Sequence, residues 1–174
     1  MLKNKTINTY SHISHDCLKP FINNKSQVLI LGSFPSVKTR EVGFYYGHKQ
    51  NRFYQVISII YNEVLPISIN DKQSLLDKHN IALYDVIYEC DIIGSSDSSI
   101  KNVIPIDIKE ILSSYPNIKA IILNGGLAYK LFDKYLLKDV PSSIKILRCP
   151  STSPANARMS VNDLINEYKI ALEK

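Results

Sequence analysis

No run in this chain is long and apolar enough to span a bilayer. Its first residues, MLKNKTINTYSHISHD, lack the apolar core of a signal peptide. Cysteine is scarce: Cys17, Cys90 and Cys149, an odd number with no C-x-x-C pair. This argues against a disulfide framework, a zinc site and an iron–sulfur cluster, and a reduced, cytoplasmic setting is the simple expectation. There is no G-x-S-x-G elbow or evident triad to support a serine hydrolase. A P-loop and a spaced G-x-G-x-x-G are missing too. The chain shows no internal repeat, low-complexity tract or linker.

What is present is an ordinary globular composition. With 174 residues, 45% hydrophobic and 21% charged, residues 1–174 are expected to form one domain with one core. The net charge of +5 permits contact with a polyanion but does not require it.

Four short apolar runs read as buried strands because they are continuous rather than alternating: Val28–Leu31, Ile81–Ile87, Ile118–Leu123 and Ile144–Leu147. Helical patterns lie between them. From Asn51 to Tyr61 the spacing puts Phe53, Val56, Ile57 and Ile60 on one face. Asp107 and Glu110 suggest a capping box for a helix that stops before Pro116. Gly126 to Leu137 carries Ala128, Leu131, Phe132 and Tyr135 at helical spacing. A last helix opens at Ser160 and Asp163. This alternation predicts an α/β fold: a three-layer sandwich with a central four-stranded parallel sheet and helices on both faces.

In such a sheet, ligands bind outside the carboxyl ends of the strands. The segments following the predicted strands are GSFPS, then CDIIGSSDSSIKN, then Asn124-Gly125-Gly126, then CPSTSPAN. GSFPS runs on into an aromatic loop with Phe44, Tyr45, Tyr46 and His48. Together they offer hydroxyls, amides and aromatic faces with few charges, which suits a neutral planar ligand bordered by phosphates.

The order GSFPS, GFYYGHKQNRF, GSSDSSIKN, LNG and PSTSPANA resembles the DNA-deoxyinosine (hypoxanthine-DNA) glycosylase family, a branch of the uracil-DNA glycosylase superfamily. The match runs from about Val28 to Asn156. The resemblance implies a monofunctional glycosylase that flips a deaminated base from double-stranded DNA and hydrolyses its N-glycosidic bond, leaving an abasic site. It implies no metal or organic cofactor, no membrane association and no obligate protein partner, and a monomer.

The resemblance also assigns residues. In related mismatch-specific uracil glycosylases an Asn within the first motif positions the water. Phe34 stands there in this chain and can only stack. The catalytic role therefore passes to Asn51 of the QNRF segment, although Asn is also a preferred helix N-cap. Base-pocket residues are expected to be Gly32, Ser33, Phe34 and Tyr46, with Asp85 accepting a base N–H and Asn124 donating to the neighbouring carbonyl. Either of the last two is equally at home in a turn. DNA contacts are expected from Ser36, Lys38, Ser95, Ser96, Lys101, Ser151, Thr152 and Ser153. Residues 153–156 are the expected wedge. Lys38 and Arg40 read equally well as surface charges near Glu41. PSTSPANA lacks the His that many relatives carry, which predicts a slow or narrow enzyme. Uracil or xanthine excision, or a nucleic-acid-binding module without catalysis, stay open at this level.

Overall fold

The computed structural model describes residues 9–173. In chain order the strands are β1 (Ser11–Ser14), β2 (Val28–Gly32), β3 (Ile81–Asp85), β4 (Ile87–Ile92), β5 (Lys101–Pro105), β6 (Ala120–Asn124) and β7 (Lys145–Cys149). The helices are α1 (Val37–Val42), α2 (Phe53–Ile60), α3 (Ile69–Lys78), α4 (Ile108–Ser114), α5 (Gly126–Tyr135) and α6 (Val161–Leu172).

The predicted parallel sheet is present, in the order β3–β2–β6–β7. Leu29, Ile30, Leu31, Ile121, Ile122 and Leu123 are fully buried. Both faces of β2 and β6 are therefore covered, and that is why these strands are apolar at successive positions. The chain leaves β2 for β3 on one side, then crosses back to place β6 on the other. The connections diverge at the carboxyl end of β2, where an open sheet forms a crevice. The register sets Gly32 beside Asp85 and Asn124 beside Cys149, all at that end.

Helices flank the sheet. α2 buries Phe53, Val56 and Ile57 and packs against α6, which buries Leu164 and Tyr168. The capping box at Ser160 and Asp163 is complete. At α4 the Asp107 side chain accepts from the Glu110 amide at 3.0 Å.

A second, antiparallel sheet, β1–β4–β5, was not expected. The run Ile81–Ile87 is not one strand: it breaks after Asp85, and Ile87 begins β4 in the other sheet. β4 buries Ile87, Cys90 and Ile92 while Tyr88, Glu89 and Asp91 stay partly exposed. Register shifts interrupt its pairing with β5. A one-sided, irregular strand leaves no continuous apolar run to read. Much of the expected loop CDIIGSSDSSIKN is thus the end of β4, its turn and the start of β5. α1 and α3 were also missed. α1 is short, and α3 opens with a Ser68–Asp71 capping box that was legible in the sequence.

Among the described residues, no helix is long and apolar enough to cross a membrane.

Candidate active site

A crevice of about 280 Å³ opens where β2, β3 and β6 end. Parts of all four expected segments line it, although the second, with Ser95 and Asp97, follows β4 of the antiparallel sheet and not a parallel strand. Gly32, Asp85 and Asn124 line its deep end, with Phe34, Tyr45 and Tyr46 as aromatic sides. Ser36, Ser95, Ser151 and Ser153 stand around it.

The deep end is fixed by close packing. A Cβ on Gly32 would lie 2.3 Å from Asp85 Oδ1 and 3.7 Å from Tyr46 Oη. Only glycine lets the carboxylate and the phenol converge over the end of β2. Ser33 follows, and its carbonyl accepts from the Ile87 amide at 3.1 Å. This bond ties the pocket to the start of β4.

Tyr46 holds a left-handed backbone, φ 54°, which is uncommon for a bulky residue. Its ring stacks on Phe53 with centroids 4.1 Å apart. One ring face is thus taken, and the rest of the side chain borders the crevice. Burial, and then the charge of Asp85, push the Tyr46 phenol far above its ordinary pKa, with the neighbouring Asn124 pulling slightly the other way. The phenol is a neutral donor at any physiological pH. Its Oη is buried beside Asn124, and its hydrogen has no acceptor among the described residues. Such an orphan costs about 1–3 kcal/mol unless a ligand fills the position.

Asn124 lines the crevice already partly committed. Its Oδ1 accepts from the Thr152 amide and its Nδ2 donates to Thr152 Oγ1, each at 3.1 Å. The pair staples the third segment to the fourth. Thr152 is fully buried, so its hydroxyl is withheld from a phosphate, contrary to the expectation of a DNA contact. Ser151 and Ser153 do reach the crevice, and the Ser151 hydroxyl accepts from the Ser153 amide at 3.2 Å.

Asn51 lines the crevice ahead of α2. Its Oδ1 accepts from the Phe53 amide at 3.0 Å, a bond from the residue ahead of the α2 N-cap, Arg52, that fixes which end of the side chain carries the oxygen. The second lone pair of Oδ1 and the Nδ2 hydrogens remain for water.

Lys38, Ser96 and Lys101 are not brought into the crevice lining. Lys38 pairs with Glu41 at 2.8 Å on the surface, and Lys101 sits over the Tyr10 ring at 3.4 Å. The Ser96 hydroxyl is engaged with Ser98 at 3.1 Å. Ser36 and Ser95 do line it, while also capping α1: Ser36 accepts from the Thr39 amide and Ser95 from that of Val37. His48 orders its loop through the Gln50 amide, 3.1 Å from Nδ1.

Two residues escaped sequence reasoning. Arg52 lies within the QNRF segment, yet its role is visible only in three dimensions. Its guanidinium donates to the carbonyls of Ser153 at 2.9 Å, Asn156 at 2.8 Å and Met159, and so shapes the whole PSTSPANA loop. His15 had no signal at all. It comes from the segment after β1 and pairs with Asp85, 2.9 Å from Nε2 to Oδ2.

A parallel sheet with an aromatic-sided pocket at its strand ends, a buried carboxylate at the pocket's deep end and a hydroxyl-bearing rim defines an α/β protein whose site has the chemistry to suit a flat heterocycle. The chain matches the model of the Uracil DNA glycosylase superfamily over residues 19–172, and it belongs to that superfamily. It is 32% identical over 142 residues to a protein of Methanosarcina acetivorans named hypoxanthine DNA glycosylase, covering 81% of this chain and 87% of the relative. A protein of the same name from Methanosarcina barkeri is 30% identical over 142 residues, covering 80% and 86%. The solution structure of a candidate uracil DNA glycosylase from Methanosarcina acetivorans superposes with a TM-score of 0.76 at 26% identity, covering 89% of this chain and 94% of that one.

Proposed function

We propose that this chain is a monofunctional DNA glycosylase that removes hypoxanthine from deoxyinosine in double-stranded DNA, acting as a monomer. The superfamily membership and the names of the two relatives support the reaction class. The observation that carries the substrate is the pair at the deep end of the pocket: an acceptor, Asp85, beside an unpartnered donor, Tyr46 Oη. Hypoxanthine presents N1–H beside C6=O and meets both. Adenine presents the reverse polarity, a ring lone pair beside an amino group. A site with buried polar groups rejects the ligand that leaves them unpaired. Uracil offers the same N–H and carbonyl pattern on a smaller ring, which makes it the informative comparison substrate.

Flipping costs a few kcal/mol of stacking and pairing, least at a mismatch. Phe34 and Tyr46 offset part of that cost by contact with the base. Asn51 orients a water toward C1′. The water oxygen bonds to C1′, the C1′–N9 bond breaks with its electron pair going to the base, and the water proton is released. Negative charge spreads to O6, where the Tyr46 hydroxyl donates to it.

End-labelled duplexes holding one inosine, uracil or xanthine, treated with protein and then alkali, test the reading. Strand breaks at inosine, exceeding those at uracil, are expected. Tight binding with no break at any of the three would make the chain a binding module.

Tyr46→Phe isolates the donor. The excision rate falls by about 10- to 100-fold, because a hydrogen bond to developing charge is lost. The melting temperature stays level or rises, because an unsatisfied buried hydroxyl has gone. A variant that melts lower and cleaves normally would show the hydroxyl to be structural.

A further inference from the structure

His15 and Asp85 form a buried pair at the deep end of the pocket, with side chains 0% and 7% exposed. His15 Nε2 lies 2.9 Å from Asp85 Oδ2, and Nδ1 faces the Leu18 carbonyl. A carbonyl can only accept, and so can a carboxylate. A neutral imidazole would turn its lone pair toward one of them. With Asp85 as a carboxylate, the ring satisfies both partners only by donating from both nitrogens, as an imidazolium.

The rest of the surroundings neither shares nor replaces this proton. The rings of Tyr84, Tyr45 and Phe34 lie 4.7, 6.1 and 6.2 Å from His15. The Tyr45 hydroxyl is directed to the Lys19 carbonyl at 3.1 Å. Burial raises the phenols of Tyr45, Tyr46 and Tyr84, which stay neutral. Asp16, next in sequence to His15, is kept ionised by hydrogen bonds from Tyr88 and Ser14, with the charge of His15 adding to them.

Oδ2 is taken by His15, whereas Oδ1 sits over Gly32 on the side toward Tyr46 Oη. We infer that His15 is a positioning residue for base recognition: it pins Oδ2 of Asp85, leaves Oδ1 to accept the N–H of the flipped base, and neutralises the carboxylate. The inference rests on the proposed reading of the pocket. Neutralisation matters because the base leaves with negative charge, which a lone carboxylate alongside would oppose. His15 also lies ahead of the superfamily match, which begins at residue 19. The segment carrying β1 thus completes a pocket whose other parts come from the matched region.

Two measurements test this. The first is a histidine-ring 15N spectrum of the free protein at pH 7.5, with the His15 signals identified by their loss in His15→Gln. Both His15 nitrogens are expected to be protonated. A ring with one bare nitrogen overturns the inference, and this readout needs no catalysis. The second is single-turnover excision from an inosine duplex. His15→Gln keeps a neutral donor toward Asp85 and slows by about 10-fold, while His15→Leu keeps none and slows by about 100-fold or more. Both bind a duplex holding a tetrahydrofuran abasic analogue as the wild type does, since that ligand has no base to read. Equal rates in wild type and both variants overturn the inference. If His15→Leu fails to fold, the ring spectrum and the Gln rate decide. A wild type inactive on inosine would refute the proposed function instead, and the ring spectrum would still judge the pair.

Discussion

Asn51→Ala slows single-turnover excision of hypoxanthine by about 10²- to 10³-fold while leaving affinity for an inosine duplex within a few-fold, because water orientation is lost and base contacts are not. Asn51 borders the crevice, and Phe34, at the first-motif position, has no polar side-chain atom to take its place. The substitution also removes the bond from the Phe53 amide, a single hydrogen bond worth about 0.5–1.5 kcal/mol of stability. Asn51→Asp separates the two effects. Its carboxylate still accepts from the Phe53 amide, so the start of α2 stays tied, but it donates nothing to water and brings a charge beside the departing base. Near-normal melting with strongly reduced excision is the expected pair of results. A wild-type single-turnover rate in Asn51→Ala would move the catalytic role elsewhere.

Arg52→Ala destabilises the protein by about 3 kcal/mol, since several hydrogen bonds from one cation to loop carbonyls are lost together. For a chain of this size that lowers the melting temperature by roughly 10 °C. The PSTSPANA loop is the part that loosens, because the guanidinium supports its carbonyls at Ser153 and Asn156. Duplex affinity therefore falls with stability, including affinity for an abasic analogue. Arg52→Lys recovers little, because a single ammonium does not reproduce the planar fork that reaches separate carbonyls. Calorimetry and a binding titration on the same preparations check both halves. A loss of stability with unchanged affinity would mean that the loop is not the DNA-contacting wedge.

These expectations show where local pattern was informative. The runs at Val28–Leu31 and, after Lys119, Ala120–Leu123 announced strands because both faces of each are covered, so nothing polar interrupts them. Ser160 announced α6 because a cap is a contact between residues three apart. β4 gave no such signal. It is buried on one face, its register with the following strand β5 slips, and its other partner, β1, comes from a distant segment. Among the site residues, Gly32, Ser33, Phe34, Tyr46, Asn51 and Asp85 were legible because motifs placed them at strand ends or beside them. Their hydrogen-bond commitments were not. Asn124 looked like a free amide and gives one N–H and one lone pair to Thr152, while Tyr46 looked like a stacking ring and holds the unpartnered donor.

The sequence by itself determined the fold class, the end of the sheet at which the crevice opens, and the aromatic and hydroxyl character of that end. Each of these follows from contacts within a few residues or from apolar runs that report burial directly. Only the tertiary structure decided which polar groups are free to act. That depends on pairings across the chain: His15 with Asp85, Arg52 with the carbonyls at 153, 156 and 159, and Asn124 with Thr152. A hydrogen bond between residues far apart in sequence leaves no periodicity behind it. Only folding shows which donors and acceptors are already satisfied and which await a substrate.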